Sequence, residues 1–172
     1  MTDVKNSTVS TQTGPNAGDG DGANTSVALA PHHLAMLAEG SGIDLKTIQA
    51  RGYRSLESGD DDVLASLGYL DHQIRFPGLL IPCYAPGSTE PTHWTYRPDS
   101  PLDPKRKYEV PKGQKKRLDV HPRVQHLIAD PTVELWVAEG VKKGDSAVSH
   151  GLVTVAVDSV WGWRGTNHQG GK

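Results

Sequence analysis

The stretch from Leu135 to Val157, LWVAEGVKKGDSAVSHGLVTVAV, constrains the fold more than any other part of the chain. An apolar run, Val133 to Ala138, ends in Glu139-Gly140, and a polar turn from Val141 to Gly144 follows. Asp145 to His150 is compatible with a short helix, Gly151 stops it, and Leu152 to Val157 is a second apolar run. Strand, turn, helix, glycine and strand is the order of a βαβ unit, whose two strands run parallel. Ligands of open α/β sheets bind beyond the carboxyl ends of such strands, which singles out Glu139. Gly140 lets the backbone turn sharply behind that carboxylate. A strand-end glutamate also serves as a helix cap or a lysine partner, so the pattern by itself leaves its role open.

The remainder of the chain is polar. Of 172 residues 35% are hydrophobic, and 19 Gly with 12 Pro imply many loops, as in one ordinary domain with a tail. A lone cysteine, Cys83, excludes an internal disulfide and a Cys-based zinc site and suits a reducing cytosol. No charged-then-apolar leader and no apolar run of membrane-spanning length is present, so a soluble cytoplasmic protein without a membrane partner is expected.

Residues 1–26 are rich in Thr, Ser, Asn, Gly and Asp and hold no aromatic residue. They cannot bury enough surface to offset their ordering entropy, and a disordered tail is expected. Residues 27–70 read as a small helical segment. Pro31 suits a first turn, Leu34, Leu37 and Ala38 follow at helical spacing, and Gly40 is the stop. Asp44 caps a second helix that Gly52 ends, and Ser58 or Asp60 caps a third. The acidic run Asp60 to Asp62 is better explained by that helix start than by a metal. His32-His33, with no partner at helical spacing, reads as a solvent-facing pair.

Residues 71–130 read as β-rich. Gly78 to Tyr84 is a buried strand, and His93 to Asp99 is its partner, with Trp94 and Tyr96 sharing one face as core. Within this segment residues 97–123 turn basic. Nine cations (Arg97, Lys105, Arg106, Lys107, Lys112, Lys115, Lys116, Arg117, Arg123) face four acids, a net +5, where residues 31–96 carry −4. With Tyr108 interleaved, this is the footprint of a phosphate-tracking loop, the plain alternative being a solvated surface loop. Lys142 and Lys143, just after Glu139, join the nucleic-acid-binding set. Residues 131–172 contain the βαβ unit, then Trp161 and Trp163 alternating as on a strand, and a Gly-Gly-Lys end whose spacing is wrong for a phosphate loop.

The run WVAEGVKKGDSAV resembles the first strand and helix of a Toprim domain, the acidic fold of bacterial primases and topoisomerases. Glu139, Gly140 and Asp145 occupy the family's Glu-Gly and following Asp positions. A GLLIP strand, an aromatic strand ending in YRPD, a KYEVP basic loop and the Glu139-Gly140 strand occur in an order similar to that of the polymerase domain of DnaG-type primases. GLLIP, YRPDSP, KYEVP, LDVHP, WVAEGVKKGDS and VWGWRGTN extend the match. They are more similar still to a Toprim-like family known only as a domain of unknown function, found in replication proteins of plasmids, phages and integrative elements. The resemblance covers roughly residues 31–172. It implies an α+β region leading into an α/β Toprim-like core, with Glu139 as general acid or base. It also implies Glu139 with Asp145 at a Mg²⁺ site, single-stranded DNA or nucleotides as ligands, and a replicative helicase of the same element as partner. Family members place an Asp-x-Asp metal pair on a later strand, and no Asp or Glu follows Asp158 here. The expectation is a chain cut short after the second Toprim strand. Such a chain is a primase-related module inactive by itself, a non-catalytic nucleic-acid-binding accessory, or an inert truncated product.

Overall fold

A computed structural model describes residues 29–159; the expected tail and the tryptophan-bearing end lie outside them. Helix α1 (Pro31–Ser41) begins with proline in its first turn and ends at Gly42, whose φ of 65° gives the left-handed cap, two residues beyond the expected stop. Helix α2 (Leu45–Arg51) is capped by Asp44, whose side chain accepts the Thr47 N–H at 2.6 Å, and it ends at Gly52. A three-residue strand, β1 (Arg54–Leu56), follows in the interval between the second and third expected helices. Helix α3 (Asp61–Ser66) carries Asp61 and Asp62 in its first turn, as helix electrostatics favour.

Strands β2 (Gly78–Cys83) and β3 (His93–Pro98) form an antiparallel pair, and β1 adds to the other side of β2. The central strand is buried along its whole length, so it reads as a continuous apolar run. Its alternate residues nevertheless serve two cores. Leu79, Ile81 and Cys83 meet Leu37 of α1 and Ile48 of α2. Leu80 meets Leu64 of α3 and Tyr96 of β3, with Trp94 packed beside them, so the strand aromatics are core. Gly78 is required there because a Cβ would lie 2.3 Å from the Tyr96 hydroxyl.

The second sheet has the order β4-β6-β5. Strand β5 (Leu135–Glu139) runs parallel to β6 (Val153–Val157), joined through helix α4 (Val141–Ser149), as the βαβ pattern requires. Strand β4 (Asp119–Val120), at the end of the basic segment, pairs antiparallel with the far side of β6. Helix α4 starts directly after Gly140 rather than at Asp145, so the expected polar turn is the helix's first turn. Gly140 has φ 86°, which reverses the chain without a linker. Gly144 then brings the helix onto the sheet, where a Cβ would stand 3.3 Å from that of Ala156. Val120, Val124, Val148, Val153 and Val155 form this sheet's core. Among the described residues β5 lies at one edge of this sheet, and Leu135, Trp136 and Val137 are exposed on it.

Candidate functional site

The carboxyl ends of β5 and β6 lie side by side, Glu139 opposite Val157, so Asp158 emerges beside Glu139. Both side chains line a cavity of about 560 Å³ together with Lys142 and Lys143 of α4, Lys116 and Tyr108 of the basic segment, and Thr95 of β3. The cavity therefore lies where the two sheets face each other. Helix α4 opens toward it with no side-chain cap and no acidic residue in its first turn, a start that favours anions. Glu139 is half exposed and stands 3.7 Å from the Lys143 ammonium. Burial first, and then the nearby charges of Arg97 and Lys107, lower the Lys142 pKa.

The basic segment reaches this cavity because it is pinned to β3. Glu109 exchanges both backbone hydrogen bonds with Tyr96, at 2.9 and 2.7 Å. Its carboxylate, turned inward, accepts from Arg75 at 3.1 Å and from Gln73 at 3.2 Å. Extended backbone alternates its faces, so Tyr108 and Val110 on either side of Glu109 both line the cavity. Lys105, Arg106, Lys107, Lys112, Lys115, Lys116 and Arg117 are exposed. Arg106 leans on Glu109 at 3.6 Å, Arg123 binds Asp44 at 3.3 Å, and Arg97 lies 3.0 Å from the Met36 sulfur.

Asp145 does not join Glu139. It lies in the second turn of α4, fully buried, and both of its oxygens are taken. Arg51 Nε donates to Oδ2 at 2.9 Å, Arg51 Nη2 donates to Oδ1, and the Tyr53 hydroxyl donates to Oδ2 at 2.7 Å. Arg51 also donates to Asp119 at 2.7 Å. Burial acts to lower the Arg51 pKa, but Asp145 and Asp119 outweigh it and raise it well above the ordinary value, so the guanidinium stays charged. The cluster fastens α2, β4 and α4 together. A carboxylate committed in this way has no lone pair directed at a surface ion, so Asp145 does not fit the Mg²⁺ site the resemblance implies. The hard-oxygen donors that do fit at the cavity are Glu139 and Asp158, since Mg²⁺ takes one or two carboxylates and fills its remaining positions with water and phosphate. Asp158 carries no sequence signal beyond its position at the end of an apolar strand.

The described chain also resembles solved structures. It superposes on the zinc-binding and RNA polymerase domains of Aquifex aeolicus primase with a TM-score of 0.52 and 19% identity, over 72% of this chain and 36% of that one. It matches a DnaG primase catalytic domain bound to single-stranded DNA at a TM-score of 0.50 and 16% identity, over 80% and 49%. The fold is primase-related. A DnaG catalytic core, at 0.52 and 16%, gives the same result over 72% and 46%. The chain thus spans between about a third and a half of these structures, and the likeness at such identities is one of fold. No protein-family model and no curated protein sequence matches the chain. Among the described residues no helix is long and apolar enough to cross a membrane.

Proposed function

We propose that this chain is a primase-related, Toprim-like module of a mobile-element replication protein that binds single-stranded DNA or nucleotide phosphates. The observation that carries the reading is the cavity where Glu139, Lys116, Lys142 and Lys143 converge at the carboxyl ends of two parallel strands. The exposed cations of the basic segment lead a phosphate backbone toward it, and Tyr108 offers a ring for a base. The uncapped start of α4 supplies backbone N–H groups for a phosphate oxygen. Glu139, half exposed beside Lys143, is placed to hold or move a proton at a substrate hydroxyl. Glu139 and Asp158 would hold Mg²⁺, whose contribution when bound is to offset phosphate charge. A replicative helicase of the same element is the protein partner this reading implies.

The inward commitment of Asp145 favours a second reading, a binding module without catalysis, in which the basic segment does the work. The 172-residue polypeptide by itself, with no Asp-x-Asp after Asp158, should show no Mg²⁺-dependent polymerisation or strand cleavage. Binding is tested by fluorescence anisotropy on single-stranded oligonucleotides across a salt series. Affinity should fall steeply with salt, and reversing Lys115, Lys116 and Arg117 together to Glu should weaken binding alike on all sequences. Glu139→Gln should leave affinity nearly unchanged. Salt-independent binding, or binding that survives the triple reversal, refutes the proposal.

A further inference from the structure

His32 and His33 stand in the first turn of α1, and Asp99 directly follows β3. Sixty-six positions separate His33 from Asp99, and the fold brings them into one cluster. His32 Nε2 lies 2.8 Å from Asp99 Oδ2, and His33 Nε2 lies 2.9 Å from Oδ1. The imidazole centroids are 4.0 Å apart, tilted by 42°. His33 is buried and His32 half exposed, so neither the pair as a whole nor its inner member matches the expected solvent-facing role. Among the described residues this is the group of three metal-type ligands whose donor atoms all lie within 4.8 Å of one another.

We infer that His32, His33 and Asp99 form a binding site for one first-row transition-metal dication, Zn²⁺ foremost. Two imidazoles and one carboxylate are the three-ligand protein set of open zinc sites and of the iron facial triad. Mg²⁺ and Ca²⁺, which want oxygen, are poorly served by it. The dimensions agree. Metal–ligand bonds of about 2.0–2.2 Å in tetrahedral geometry set neighbouring donors roughly 3.4 Å apart. The nitrogen–oxygen separations of 2.8 and 2.9 Å therefore have to open by only about half an ångström. His32, half exposed at a helix start, can swing by that much without disturbing the core.

The surroundings of His33 support the same assignment. Its Nδ1 lies 2.7 Å from Ser55 Oγ, which accepts the Ala30 N–H at 2.8 Å. When the serine donates to Nδ1, Nε2 carries the hydrogen and donates to Asp99. When Nδ1–H donates to the serine, Nε2 turns a lone pair toward the carboxylate, an arrangement that a cation between them makes favourable. Ser55 thus holds the ring in place in both states, as outer-shell partners of metal-bound histidines do. The ion pairs of Asp99 among the described residues are to these two imidazoles, so no lysine or arginine competes for its charge. A bound ion would clamp α1 to the end of β3 and keep one coordination position toward solvent on the His32 side. None of the three residues lines the Glu139 cavity, so the site is separate from it.

The test uses the untagged full chain, stripped with a chelator, with Co²⁺ as the visible probe and Zn²⁺ as competitor. One Co²⁺ per chain should bind with visible d–d absorption, be displaced by stoichiometric Zn²⁺ and be indifferent to Mg²⁺. His32→Ala, at a half-exposed position that leaves the fold intact, and Asp99→Asn should each weaken Co²⁺ binding by at least about tenfold. His126→Ala, at an exposed histidine outside the cluster, should not. Absence of a Co²⁺ spectrum in the unmodified chain overturns the assignment, as does a spectrum that both cluster variants leave intact.

Discussion

Replacing Arg51 by methionine tests whether Asp145 is a structural or a chemical residue. Methionine keeps most of the apolar stem and removes the cation from a site where Arg51 is 1% and Asp145 0% exposed. Two carboxylates then lose their counter-charge, Asp145 with its paired donors and Asp119 with its 2.7 Å bond. Removing one partner of a buried ion pair costs about 3–5 kcal/mol. With two acids orphaned, and only the Tyr53 hydroxyl and the Tyr84 N–H still donating to them, the upper end applies. Domains of this size are stable by about 5–15 kcal/mol, so Arg51→Met should lower the urea midpoint by roughly 2 M or unfold the chain. Circular dichroism across a urea series measures it. Removing the charges together, as in Arg51→Met with Asp145→Leu and Asp119→Asn, should recover a large part of the loss, because an apolar replacement no longer strands a charge. A loss below about 1 kcal/mol for Arg51→Met, the scale of an exposed pair, would refute the argument and return Asp145 to the list of residues free for chemistry.

Acid sensitivity should trace to His121. Burial first, and then Arg51, lower its pKa to about 4, while Nε2–H donates to the Thr47 carbonyl and Nδ1 accepts the Arg123 N–H. Between about pH 6.5 and 4 the unfolded chain binds the extra proton, so stability is full above that window and falls as pH drops through it. His121→Gln should flatten that limb of a pH–stability profile; an unchanged slope assigns it elsewhere. Gly78→Ala should cost about 1–3 kcal/mol or more by overpacking, read from the thermal midpoint, because its Cβ would overlap the Tyr96 ring. Cys83 is buried, and burial pushes its thiol well up, so thiol reagents should label it only after denaturant is added.

Local chemistry made several elements legible in advance. Asp44 and Gly52 bracket α2 because a side-chain acceptor and a left-handed residue satisfy helix ends without tertiary help. The β5-α4-β6 unit follows from two apolar runs around a helix-length segment, and the parallel pairing follows from the crossover. Glu139 at the strand end is placed by that pattern alone. The register of α4 was not legible. Gly140 starts the helix four residues before the point that composition suggested, so Asp145 moves from a first turn at the site to a second turn against Arg51. That contact joins residues 94 positions apart, and no window of sequence reports on it. The same holds for His33 against Asp99. Periodicity and capping determine which segments form and which way their ends face, because those energies are settled within a few residues. Whether a given carboxylate or imidazole meets solvent, a guanidinium or another ligand is decided by packing between distant elements, because a buried polar group persists only where the fold supplies its partner.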